Sequence, residues 1–149
     1  MQAPRSKLKV LFLCTGNSCR SQMAEGWARH LRGDVIEPYS AGLEKHGLNP
    51  HAVTVMAEAG VDLSRHYSKT LANLGPVPFD YVVTLCGHAL EHCPRFPGKA
   101  KKMHVGFEDP PALTQHLPDG DPKLAVYRRV RDEIRRFVES LPEGLKGET

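Results

Sequence analysis

Apolar positions fall into short solid runs separated by stretches with a helical period. Residues 8–13, LKVLFL, lead into Thr15-Gly16-Asn17-Ser18, the pattern of a buried strand that ends in a loop. Met23, Ala24, Trp27, Ala28 and Leu31 then recur at i, i+1, i+4, i+5 and i+8, sharing one helix face from which Arg29, His30 and Arg32 are excluded. Gly33 is the expected stop. Val35 to Ala41 predicts a second strand, and Pro38 puts it at a sheet edge or on a bulge. Asn49-Pro50 supplies an N-cap and a first-turn proline for a helix carrying Ala52, Val55, Met56 and Ala59, with Gly60 just beyond it. DYVVTL at 80–85 predicts another buried strand, and 101–105 a weaker one. From Pro122 to about Leu141, Tyr127, Val130, Ile134, Phe137, Val138 and Leu141 keep the helical period most clearly. The arginines of that segment (128, 129, 131, 135, 136) are interleaved with Asp132, Glu133 and Glu139, which favours a solvated, ion-paired face over a phosphate-binding stripe. Strands alternating with helices imply an α/β protein with a mostly parallel sheet covered on both faces.

Composition narrows the class. A chain of 149 residues is read as one domain, 1–149 with its core at about 8–140, and it can bury roughly two-thirds of its unfolded surface. Its 20 Lys+Arg against 17 Asp+Glu leave +3, scattered, so charge points neither to nucleic acid nor to a membrane. Arg5, Lys7 and Lys9 ahead of Val10–Cys14 superficially resemble a secretory leader, but that apolar run is well short of the roughly 7–15 residues of a leader core and the ~20 of a membrane span. A soluble, cytoplasmic protein is expected, monomeric by default, with no bound organic cofactor. Four cysteines (Cys14, Cys19, Cys86, Cys93) in a chain that needs no staples then suggest chemistry, and in a reducing compartment any disulfide is expected to be transient.

The most informative stretch is Cys14-Thr15-Gly16-Asn17-Ser18-Cys19-Arg20-Ser21, a Cys-X5-Arg loop between a strand and a helix. A short loop curling into a helix N-terminus turns successive N–H groups inward, a concavity suited to a tetrahedral oxyanion. Thr15, Gly16, Asn17, Ser18 and Cys19 would form it, and the planar fork of Arg20 would close it. The same field should depress the thiol pKa of Cys14 and make it the nucleophile, with Ser21 donating a hydrogen bond to its sulfur. Cys19 reads as a structural thiol that contributes only its place in the loop. No metal ligand set is expected.

Nucleophilic attack on an oxyanion requires the departing oxygen to be protonated. Gly106-Phe107-Glu108-Asp109-Pro110-Pro111 follows the fourth strand and offers two carboxylates, of which Asp109 is preferred over Glu108. Cys86 and Cys93 flank Gly87-His88-Ala89-Leu90-Glu91-His92. If that segment is helical, the two Cα atoms lie about 10 Å apart, beyond the 4.4–6.8 Å of a disulfide, so bonding requires it to unwind. A redox switch is one reading; buried core thiols, or a crowded zinc site with His88 and His92, are the others. His46, His51, His66 and His104 are read as surface or packing residues.

Together CTGNSCRSQMAEGW (14–27), YSAG (39–42), HGLNP (46–50), VVTLCG with the later CP (82–94) and GFEDP (106–110) closely resemble the thioredoxin-coupled arsenate reductases on the low-molecular-weight tyrosine phosphatase fold. The resemblance implies a three-layer α/β/α fold with a four-stranded parallel sheet. It further implies that Cys14 attacks arsenate while Asp109 protonates the leaving hydroxyl, that Arg20 and the loop amides hold the adduct, and that phosphate and sulfate compete. Cys86 would then attack Cys14 and release arsenite, Cys93 would attack Cys86, and reduced thioredoxin would reopen the Cys86–Cys93 disulfide. A phosphatase using the same loop is the alternative, and a redox-sensing protein a third. The related phosphatases normally lack the second cysteine pair and carry an aromatic residue where this chain has Pro111. Some members hold potassium through residues matching Asn17, Glu25 and Ser40 plus an aspartate at the position of Lys69. Lysine there disfavours the ion, and its ammonium is expected to pair with Glu25. Val105 replaces the usual tryptophan before GF.

Overall fold

The computed structural model describes residues 7–96 and 99–146; Arg5 and the outermost parts of the expected 1–149 domain lie outside them. Four strands, β1 (Leu8–Cys14), β2 (Ile36–Gly42), β3 (Tyr81–Thr84) and β4 (Lys101–His104), form one sheet in the order β2-β1-β3-β4. All three pairings are parallel. The helices are α1 (Arg20–Arg32), α2 (Pro50–Glu58), α3 (Leu71–Leu74), α4 (Gly87–Glu91), α5 (Pro110–Thr114) and α6 (Asp121–Glu139).

Because β1 is covered on both sides, its solid apolar run serves two cores by alternation. Val10 and Phe12 pack with Trp27, Met56, Ile134 and Val138 of α1, α2 and α6; Leu11 and Leu13 pack with Val82, Phe79 and Ala89 on the face of α3 and α4. This is the expected three-layer α/β/α arrangement. Pro38 sits on the edge strand, where its missing N–H costs no interior ladder bond. Asn49 caps α2 as the sequence suggests, accepting from the amides of His51 and Ala52, and Gly60 follows with φ +85°. The helix read as Pro122 to about Leu141 runs Asp121–Glu139. Four of its five arginines are ion-paired: Arg128 and Arg131 with Glu58, Arg129 with Glu108 and Glu133, and Arg135 with Glu139. Val105 packs at the margin of the larger core.

The order 2-1-3 places the end of β1 beside the end of β3, where connections leave in opposite directions and parallel sheets gather ligands. Leu13 pairs with Thr84, and the amide of Leu85 donates to the Leu13 carbonyl at 2.9 Å. Cys14 and Cys86 therefore emerge side by side. Leu85 in turn accepts from the amide of Phe107 at 3.0 Å, which brings the 106–111 turn to the same edge.

Candidate active site

The loop 14–20 is held by its carbonyls. Those of Cys14, Thr15, Gly16 and Ser18 accept from the amides of Leu43, Glu44, His46 and Asn49 at 2.9–3.2 Å. With the carbonyls turned outward, the amides of Gly16, Asn17, Ser18 and Cys19 donate to no carbonyl among the described residues. Asn17 adopts φ +48°, a conformation asparagine tolerates better than most residues. Its fully buried side chain accepts from the Lys69 amide and from Gln22 Nε2, each at 2.9 Å, and its Nδ2 donates to Ser21 Oγ at 2.9 Å. A side chain on Gly16 would strike the ring of His46, and one on Gly42 the backbone of Thr15 and Asn17, so neither position accommodates a Cβ.

Arg20 is buried, with Nη1 donating to the Phe107 carbonyl at 2.9 Å and Nη2 3.4 Å from Asp109 Oδ1. Its buried Nε has no hydrogen-bond partner among the described residues. A cavity of about 380 Å³ is lined by Cys14, Thr15, Gly16, Ser18, Cys19, Arg20, His46, Asn49, Asp109 and Pro111. Unpaired amides and an orphaned guanidinium N–H around one concavity form a donor set that suits an anion with several oxygens. Glu108 points elsewhere, at 3.0 Å from Arg129. Of the two candidate acids, Asp109 alone reaches the cavity. A larger cleft of about 690 Å³, bounded by Leu71, Val77, Phe79, Pro94 and Phe96, is lined by no titratable side chain among the described residues.

Cys14 and Cys86 belong to one packed cluster, within reach of a hydrogen bond between their thiols. That contact changes the protonation expected for the nucleophile. The hydrogen bond to Cys86, together with burial, pushes the Cys14 thiol up, against the opposing charge of Arg20. Cys86 goes the other way, to about 4: it accepts from Cys14, from the Thr15 hydroxyl (3.4 Å) and from the Ala89 amide (3.4 Å), which together outweigh its burial. In place of the lone depressed thiol expected at Cys14, the two thiols titrate as a pair that holds one proton between them. Cys19 is buried and its thiol is pushed well up, first by burial and then by the charge of Asp109. Ser21 differs from expectation as well: its hydroxyl pairs with Asn17, and no bond to Cys14 is formed among the described residues.

Cys86 is the N-cap of α4. Cys93 lies just past that helix, half-buried, its thiol facing the Pro94 carbonyl at 3.6 Å. All four cysteines are free thiols. Among the described residues no three His, Cys, Asp or Glu side chains gather in a metal-holding group.

Behind the loop, Lys69 Nζ lies 3.3 Å from Ser40 Oγ, 3.3 Å from the Tyr67 carbonyl and 3.6 Å from Glu25 Oε1. Burial alone would raise the Glu25 carboxyl; the hydrogen bond from Ser40 and the charge of Lys69 outweigh it and hold Glu25 ionised. The donor set does not fit a potassium ion, since an ammonium stands among the oxygens that would hold one. His46 and His66, read as surface or packing residues, belong to the site's frame. His46 packs against Gly16, and His66 donates to Gln22, which reaches Asn17. HGLNP and CTGNSCRSQMAEGW contained His46 and Gln22 without indicating a role for either, and no local signal marked His66.

The sequence profile of the family described as low molecular weight phosphotyrosine protein phosphatase matches residues 9–149. An arsenate reductase from Halalkalibacterium halodurans is 47% identical over 138 residues, covering 93% of this chain and 97% of its own. The solved structure of an arsenate reductase in the phosphate-binding state superposes with TM-score 0.66 at 32% identity, over 93% of this chain and 99% of that one. A thioredoxin-dependent arsenate reductase from Corynebacterium glutamicum gives TM-score 0.65 at 27% identity, over 96% of this chain and 66% of that one.

Proposed function

Since the chain belongs to the low molecular weight phosphotyrosine protein phosphatase family and, within it, to the arsenate reductases, we propose that it reduces arsenate to arsenite through a three-thiol relay, Cys14 to Cys86 to Cys93, reset by reduced thioredoxin. Arsenate docks on the amides of 16–19 and the Arg20 fork, where phosphate and sulfate compete. Cys14 passes its proton to Cys86 and attacks arsenic, while Asp109, beside Arg20, protonates the oxygen that leaves as water. Cys86 then attacks the Cys14 sulfur: an S–S bond forms, the S–As pair goes to arsenic, and arsenite departs. Cys93 attacks Cys86 once α4 has unwound, restoring the Cys14 thiol and leaving a Cys86–Cys93 disulfide for thioredoxin. The reaction calls for no bound cofactor, takes place in the cytoplasm and needs only a monomer.

The contact between Cys14 and Cys86 carries this reading, because a hydrolase has no use for a second thiol against its nucleophile. Among the described residues no helix is long and apolar enough to cross a membrane. Arsenate-dependent NADPH oxidation in the presence of thioredoxin and its reductase tests the proposal. Wild type should turn over repeatedly, and Cys86→Ser and Cys93→Ser should not. Full multiple turnover by both variants, alongside brisk hydrolysis of p-nitrophenyl phosphate by wild type, would return the phosphatase reading.

A further inference from the structure

The dyad creates a difficulty that the relay must solve. When Cys14 attacks, its proton moves to Cys86, yet Cys86 must be a thiolate for the next step. Its partners are the Cys14 sulfur, the Ala89 amide and the Thr15 hydroxyl. The sulfur is by then bonded to arsenic and an amide cannot take up a proton, which leaves Thr15. The Thr15 hydroxyl also lies 3.1 Å from Nδ1 of His88, an exposed residue on α4. A hydroxyl has one hydrogen to give and can accept another. It can therefore accept from the Cys86 thiol on one side while donating to a neutral imidazole on the other.

We propose that His88 is the proton exit of the relay, a positioning and proton-accepting residue that draws the proton of Cys86 through Thr15 and frees Cys86 to attack Cys14. This rests on the reductase reading above. In full, the proton travels from Cys14 Sγ to Cys86 Sγ, then by way of Thr15 Oγ1 to His88 Nδ1 and into solvent. The electron pair left on Cys86 forms the new S–S bond, and the S–As pair reduces arsenic, so arsenate is the only oxidant. The charged and titratable groups facing this path are Cys14 from β1, Arg20 from α1 and His92, just past α4, whose ring lies 4.4 Å from that of His88. Arg20 favours the thiolate end and is left in place by any change at position 88.

A Cys93→Ser background halts the chemistry at the Cys14–Cys86 disulfide, whose formation after mixing with arsenate can be followed by acid quench and mass spectrometry between pH 5.5 and 9. His88→Asn offers an oxygen near the position of Nδ1 but cannot take up a proton; His88→Ala offers nothing. Both variants should form the disulfide about tenfold more slowly near pH 7 and converge on the parent rate near pH 9, where solvent removes the proton directly. Added imidazole should restore His88→Ala. Parent-like pH profiles in both variants, with no response to imidazole, would overturn the assignment of His88 alone. If the parent forms neither arsenite nor a Cys14–Cys86 disulfide, the reductase reading falls and this proposal falls with it.

Discussion

Cys14 stands on a loop fixed from every side, whereas Cys86 and Cys93 bracket a five-residue helix in which only Ala89 is buried. Four outward carbonyl bonds, a left-handed Asn17 with three side-chain hydrogen bonds and two glycines against which neighbours close leave the loop one conformation. α4 has no such frame and makes its turns over exposed Gly87, His88 and Leu90. The difference matches the two tasks: binding an oxyanion and stabilising its transition state needs donors already in place, whereas passing a disulfide along the chain needs a segment that opens at little cost.

The comparison breaks most severely at Arg20. Replacement by Lys keeps the charge and loses the fork, and should lower kcat/KM for arsenate by about 10²–10³-fold, the usual scale for a missing transition-state donor. Phosphate affinity by calorimetry should fall in parallel. An unchanged kcat/KM would mean that the loop amides alone carry the substrate.

The buried ammonium behind the loop gives the next effect. Wild-type arsenate affinity should not depend on potassium. Lys69→Asp sets a second carboxylate beside Glu25 and should weaken KM about tenfold without potassium, with recovery when the ion is added. A strong potassium dependence in the wild type would contradict the role given to Lys69.

The dyad has its own signature. With Cys86 lowered from 9.0 to about 4, the reduced protein should keep one thiolate absorbing near 240 nm as the pH falls from 8 to 5, and lose it near 4. A folded-state pKa below the unfolded one contributes stability that is fully present above the unfolded thiol value and declines as pH falls toward 4. Wild type should thus gain stability relative to Cys86→Ser between pH 4 and 9. Equal absorbance in the two proteins at pH 6 would remove the charge from Cys86.

The smallest effect tests the movable half. A side chain at Gly87 meets nothing within 4 Å. Gly87→Ala should stiffen α4 by about 0.5–1 kcal/mol and slow Cys86–Cys93 formation roughly two- to fivefold, with arsenite release in the first turnover unchanged. Slowing of both steps would place α4 in the binding machinery.

What the sequence made legible follows the same division. Solid and periodic apolar runs located β1, α1 and α6 to within a residue or two, because burial against a sheet leaves a local pattern. Cys-X5-Arg announced the loop, since every residue of it is adjacent in the chain. Lys69 and Glu25 entered only through the family resemblance, and the roles of Gln22 and His66 were hidden, because Gln22 bonds to Tyr67 and His66 across 45 and 44 positions. The joint titration of Cys14 with Cys86 left no local trace either, because it depends on the β1–β3 register that brings the two thiols together. Of the helices, α3 spans four residues, too few to show a period.

Reduced protein treated with one equivalent of arsenate without thioredoxin, quenched in acid, alkylated and mapped by mass spectrometry tests the central claim most directly. The account predicts a single Cys86–Cys93 disulfide, free Cys14 and Cys19, and one arsenite released per chain. Release of arsenite with Cys86 and Cys93 both still alkylatable would contradict it.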